Sequence, residues 1–139
     1  MPKTIDEIVQ KKNGQKITVV TSYDYTMATL CDEVDILLVG DSAGMVMLGY
    51  ENTAPVTMDQ MCMFTEGVSN GRKNALIVAD LPNKSYENEA DAITNSQRLI
   101  KAGADAVKLE GRMPEIIKAI VRADIPVMGH LGLLSLIHI

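Results

Sequence analysis

The sequence predicts an α/β protein built on parallel strands, and three observations carry that prediction. Short apolar, β-branched runs alternate with longer helix-like stretches along the chain, the order expected of repeated βα units. Helix-start and helix-stop residues punctuate the alternation, with Thr57 and Pro114 opening helices and Gly14 and Gly103 closing them. The runs ILLVGDS, ALIVADLP and DAVKLEG stay apolar until their last residues, then turn acidic at Asp41, Asp80 and Glu110. A parallel strand leaves its sheet at that end, where α/β proteins place their polar sites.

In chain order, Thr4 to Lys12 reads as a polar helix capped by Thr4, with Glu7 three positions on and Gly14 ending it. Ile17–Ser22 is a β-branched first strand, and Tyr23–Asp24 opens a short helix reaching about Asp32. Asp35–Gly40 is the second strand. Asp41 to Thr57, holding Gly44, Gly49 and Pro55, reads as a loop, long for a βα connection. Thr57, with Gln60 three residues later, caps a helix running to about Asn70. Ala75–Ala79 is the third strand, followed by a turn at Leu81–Pro82–Asn83. Glu87–Ala102 reads as a helix with Ala90, Ile93, Gln97 and Ile100 near one stripe and Gly103 as its stop. Ala106–Leu109 is the fourth strand, Pro114 starts a helix to about Ala123, and Ile125–Met128 is the fifth strand, closed by Gly129–His130.

Two architectures fit that order. One is an open, doubly wound sheet of five parallel strands; the other is a (β/α)8 barrel of which slightly more than half is present. At 139 residues the chain fits one domain, against about 250 for a typical closed barrel. Apolar residues are 47% and charged residues 22% of the chain, the profile of a soluble globular domain. Thirteen basic against eighteen acidic side chains give a formal charge of −5 with no basic stripe. That balance argues against nucleic acid and anionic membrane as partners. Trp is absent and Phe occurs once, too few for a base-stacking platform. No apolar run approaches the roughly 18 residues that span a bilayer. Cys31 and Cys62 lie in unrelated segments and no secretory leader is evident, so a reduced, cytoplasmic setting is expected.

Asp41, Asp80 and Glu110 are the candidate acids. Side chains alternate along a strand, so Lys108 and Glu110 share one face of the fourth strand. A lysine beside a glutamate in an apolar strand is costly to bury unless each has a partner. If that face meets Asp41 and Asp80, the cluster holds three carboxylates, one ammonium and room for a divalent ion, with oxygen donors favouring Mg²⁺. Acids at strand ends also cap helices or bind loop amides, and that reading stays open for each one. Ser42 can donate to a bound anion or cap a turn. His130, between Gly129 and Gly132, can donate to a carboxylate or enolate, or simply bond at a sheet edge. Asp24 is as well explained by capping as by catalysis. No G-x-G-x-x-G, P-loop or nucleophile elbow occurs, which weakens the dinucleotide, nucleotide-triphosphatase and serine-hydrolase readings.

The stretches TSYDY (21–25), LLVGDSAGMVMLGYENTAPVT (37–57), ADLP (79–82), AGADAVKLEG (102–111) and IPVMGHLGL (125–133) resemble, in collinear order, the ketopantoate hydroxymethyltransferase family. The resemblance implies residues 1–133 as the N-terminal half of a (β/α)8 barrel catalytic domain. It also implies transfer of a hydroxymethyl group from 5,10-methylenetetrahydrofolate to 3-methyl-2-oxobutanoate, giving 2-dehydropantoate for pantothenate synthesis. On this resemblance Asp41 and Asp80 are direct Mg²⁺ ligands, Glu110 holds the ion through water, and Ser42, Asp80, Lys108 and His130 contact the keto acid. Lys108 and His130 are then the catalytic candidates in this segment. The family's general base, a glutamate on a later strand, is not among these residues, and the full-length family protein is expected to be a homo-oligomer.

Departures from the pattern lie mostly at the rim. Asn83 and Lys84 follow ADLP where Phe is usual, Phe64 replaces a histidine of the second crossover helix, Arg112 follows KLEG, and the segment Leu30–Ile36 is short. After GHLGL the run at 134–139 replaces the expected Thr-Pro-Gln and reads as an anomalous tail; His138 within it is assigned nothing. A half barrel leaves its end strands unpaired and its inner face open, so an isolated chain of this kind is expected to need a partner or to turn over little. Two other readings stand beside this one: a metal-dependent keto-acid aldolase or lyase of the phosphoenolpyruvate-utilising barrel type, and a small flavodoxin-like binding domain without catalysis.

Overall fold

Five strands form one parallel sheet: β1 (Val19–Thr21), β2 (Ile36–Val39), β3 (Leu76–Asp80), β4 (Ala106–Glu110) and β5 (Val127–His130). Their spatial order is their sequence order. That order separates the two candidate architectures. A doubly wound sheet reverses direction once, so its strands cannot run in sequence order across the whole sheet. Here every crossover steps the same way, and right-handed crossovers then lay their helices on a single face. The computed structural model describes residues 1–132; the anomalous tail expected at 134–139 lies outside the described residues.

The helices are α1 (Ile5–Gln10), α2 (Tyr25–Cys31), α3 (Ala43–Leu48), α4 (Met58–Gly71), α5 (Glu89–Lys101) and α6 (Pro114–Arg122). Strand residues alternate between two cores. Leu37, Val39, Ile77, Ala79, Val107 and Leu109 pack outward among Met61, Phe64 and Val68 of α4, Leu99 of α5 and Ile120 of α6. Ile36, Leu76, Val78 and Ala106 point the other way, onto a smaller cluster completed by Ile5 and Ile8 of α1 with Leu38 and Met128. Helices outside and a side-chain-filled interior inside are the layering of a (β/α)8 barrel. Phe64, one of the departures from the family pattern, is spent on the outer core, where it is buried.

Polar anchors tie down the N-terminal helix. Thr4 and Glu7 form the expected capping box, and the buried Asp35 accepts from Lys11 Nζ at 2.6 Å and from the Thr18 backbone N–H at 2.9 Å. The Lys11 hydrogen bond, with those from Thr18, holds the Asp35 carboxyl well below the usual carboxylate range.

Two expectations need correction. The segment Asp41–Thr57 is not all loop: Ala43–Leu48 is helix. Gly44 and Gly49 disguised it, and Gly44 is there for packing, since a Cβ would meet Val56 Cγ2 at 2.4 Å and the Tyr50 ring at 2.9 Å. The buried stripe of α5 is Ala92, Ser96 and Leu99, whereas Ala90 and Gln97 are exposed. Ile93 and Ile100 of the expected stripe are half-buried beside it, with Ile100 packed on the outer core, so the inward face is rotated from the expected one toward Ala92, Ser96 and Leu99.

Candidate active site

Cross-strand register assembles the polar cluster. Asp80 stands on the same face of β3 as Leu76 and Val78, and Lys108 and Glu110 on the same face of β4 as Ala106, so all three line the inner side at its C-terminal edge. Asp80 is directly opposite Lys108, and Glu110 directly opposite His130. Lys108 Nζ donates to Asp80 Oδ1 at 2.7 Å, while His130 Nδ1 lies 3.5 Å from Glu110 Oε1. Asp41, one turn beyond β2, joins through its backbone N–H, which donates to Asp80 Oδ2 at 3.1 Å. Both oxygens of Asp80 are thereby oriented, and its side chain is only 8% exposed.

The electrostatics follow from that crowding. Burial, with Asp80 and Glu110 adding to it, pushes the Asp41 carboxyl up to about 6, against the opposing pull of Lys108. Burial also pushes the Asp80 carboxyl up, opposed by the Lys108 ammonium. One ammonium therefore does not balance the three acids. Among the described residues no three Asp, Glu, His or Cys side chains converge as a ready-made metal cage. Mg²⁺ does not require one, because it keeps several waters and takes only one or two protein carboxylates together with substrate oxygens. Oxygen-only donors, their burial and the uncompensated charge at Asp41 suit a hard divalent cation.

Ser42 is brought to the same spot. A Cβ on Gly40 would meet Ser42 Oγ at 2.8 Å and Asp80 Oδ2 at 3.6 Å, so the bare Cα of Gly40 leaves room for these two polar groups to approach it. Ser42 precedes α3 but makes no side-chain capping bond; its Oγ instead lies 2.7 Å from the Tyr23 hydroxyl. Asp24 is not in the cluster. Its carboxylate caps α2, accepting from the Met27 N–H at 2.9 Å.

Three residues near the cluster escaped the sequence reading. Tyr23 follows β1 and carries the hydroxyl on Ser42; the strand-end logic that found the acids points there too. Tyr86 is buried, with its hydroxyl 3.5 Å from the Glu110 backbone oxygen. Burial raises its phenol, with Glu110, Asp41 and Asp80 adding to the effect. Thr53, also buried, opposes part of the rise at Asp41. Nothing in the spacing of Thr53 or Tyr86 marks them, since each reaches the cluster from a loop.

The fold and the cluster together define the class: part of a (β/α)8 barrel with an acidic site at the C-terminal edge of its strands. Solved structures share that fold. A phosphonopyruvate hydrolase complexed with oxalate and Mg²⁺ superposes with a TM-score of 0.73 at 13% identity, over 91% of this chain and 52% of the other. A 2,3-dimethylmalate lyase of the PEP mutase/isocitrate lyase superfamily gives 0.64 at 19% identity, with the same coverage. Sequence places the chain more narrowly. The ketopantoate hydroxymethyltransferase family model matches residues 2–137. The 3-methyl-2-oxobutanoate hydroxymethyltransferase of Nitrosopumilus maritimus is 66% identical over 96% of this chain and 50% of its own length. That of Cenarchaeum symbiosum is 60% identical over 88% of this chain and 48% of its own length. The chain belongs to the ketopantoate hydroxymethyltransferase family, a family of transferases, and spans about half the length of the curated relatives it matches.

Proposed function

We propose that this segment carries the metal and keto-acid half of a hydroxymethyltransferase site, acting on 3-methyl-2-oxobutanoate with 5,10-methylenetetrahydrofolate as one-carbon donor. The observation that supports it most is the Asp80 carboxylate, oriented at once by Lys108 and by the Asp41 N–H. Asp41 and Asp80 would hold Mg²⁺, with Glu110 reaching it through water. Bound there, Mg²⁺ supplies Lewis-acid polarisation of the keto oxygen, which eases loss of the proton from C3.

The chain's own residues do the rest of this half. Lys108 offsets charge on the substrate carboxylate and on the oxygen that becomes anionic. Ser42 and His130 donate hydrogen bonds to the keto acid and fix its orientation. With C3 deprotonated by a base outside these residues, the carbon bonds to the methylene carbon of the folate, the C–N bonds of that methylene break to release tetrahydrofolate, and water supplies the oxygen of the new hydroxyl. 2-Dehydropantoate then carries the added hydroxymethyl group. The lyase alternative rests on likeness of fold alone. In a full-length family protein carrying this segment, Asp80→Ala is expected to abolish Mg²⁺-dependent exchange of the C3 proton of 3-methyl-2-oxobutanoate, read by NMR in D₂O. Undiminished exchange in that variant contradicts the assignment.

A further inference from the structure

The contact between Tyr23 and Ser42 joins two βα loops at the edge of the cluster, and it bears on what Ser42 can do. Ser42 Oγ has one proton and two lone pairs. Its partner in this structure is a phenol 2.7 Å away, and either oxygen can be the donor. If Ser42 gives its proton to Tyr23, it presents only lone pairs to the cluster, which already holds Asp41, Asp80 and Glu110. An anionic keto acid would then meet another acceptor. If Tyr23 donates, the Ser42 proton is released toward the ligand. A phenol is the more acidic hydroxyl and the better donor, so the second polarity is favoured chemically.

Two further observations support that arrangement. Ser42 forms no capping bond to α3, so its hydroxyl is not diverted to the helix. The bare Cα of Gly40 lets both Ser42 Oγ and Asp80 Oδ2 lie close to where a Cβ would stand. Tyr23 itself is half-buried at the end of β1, with its backbone fixed between the buried Ser22 and the α2 cap Asp24. The hydroxyl pair is thus held just past the ends of β1 and β2, two strands that pair directly with each other.

We infer that Tyr23 is a positioning residue for this site: its hydroxyl donates to Ser42 Oγ, turning Ser42 into a hydrogen-bond donor for the carboxylate or keto oxygen of a bound α-keto acid. The inference rests on the keto-acid reading of the site. Tyr23 acts through Ser42 and touches no reacting atom.

The test is a double-mutant cycle on the affinity of a full-length family protein carrying this segment for 3-methyl-2-oxobutanoate in the presence of Mg²⁺, measured by titration calorimetry. The variants are Tyr23→Phe, Ser42→Ala and both together, with Tyr25→Phe as a control on an exposed tyrosine of α2 and a ligand-free melt for each protein. Tyr23→Phe is expected to weaken binding about threefold to tenfold, with its melt unmoved. The double variant is expected to bind no worse than Ser42→Ala, and Tyr25→Phe to bind like the unsubstituted protein. Full affinity in Tyr23→Phe overturns the inference, as does a double variant whose losses multiply. Asp80→Asn separates this inference from the reading beneath it. If that variant loses affinity while the cycle shows no coupling, only the role of Tyr23 falls. If it keeps full affinity, or the unsubstituted full-length protein does not bind, the keto-acid reading falls and the inference with it.

Discussion

Asp41 is a point of electrostatic strain in the cluster. Its carboxyl titrates near 6 in the folded chain, raised by burial and by Asp80 and Glu110, against about 3.9 when unfolded. The folded state therefore binds more protons than the unfolded state across that window, and stability falls as pH rises through it. Asp41→Asn should melt higher than the unsubstituted chain at pH 7.5, with the advantage fading below pH 4. The full shift sets a ceiling of about 3 kcal/mol, and solvent screening reduces the expected gain to roughly 1 kcal/mol. The same substitution should remove stabilisation by added Mg²⁺, which a melt with and without the ion reads directly. A variant that melts lower at pH 7.5 contradicts this account of Asp41. These acids were legible in the sequence because each ends an apolar run, and alternation set Lys108 and Glu110 on one face of β4, but it took the β3–β4 register to set Asp80 opposite Lys108. Tyr23 on Ser42 was not legible, because that contact joins loops 19 residues apart.

At the level of elements, local chemistry explains most boundaries. The capping box of α4, with Thr57 accepting from Gln60 N–H at 3.3 Å and Gln60 accepting from Thr57 N–H at 2.9 Å, fixes its first turn. Thr57→Ala should cost about 1 kcal/mol, measurable by chemical denaturation, without altering ligand affinity. At α3 the argument reverses. Gly44→Ala puts a methyl group against Val56 and Tyr50, and overpacking of this kind costs about 1–3 kcal/mol. A neutral result there would show that α3 can shift. Thr4, Thr57 and Pro114 announced their helices because caps and first-turn proline act within a few residues. The span of α3 and the inward face of α5 were hidden because both depend on distant partners: the ring of Tyr50 for one, the close seating of Ala92 and Ser96 for the other.

For the molecule as a whole, sequence order across the sheet is the decisive fact. Secondary structure alone left the open sheet and the barrel equally available; the barrel came from the motif resemblance, and the strand order agrees with it. Among the described residues β1 and β5 each pair on one side only. Alongside them, Val19 and Leu131 are exposed. The 139-residue chain expressed alone is therefore expected to associate with increasing concentration in sedimentation experiments; a sharp, concentration-independent monomer would count against that. The central claim remains that the strand ends form a cation-dependent keto-acid site. Its most direct test is the affinity of a full-length family protein carrying this segment for 3-methyl-2-oxobutanoate with and without Mg²⁺. The account predicts that Mg²⁺ tightens binding at least roughly tenfold, about 1.4 kcal/mol, and that Asp80→Asn erases the difference. Equal affinity with and without the ion, or a Mg²⁺ effect that survives in Asp80→Asn, would contradict it.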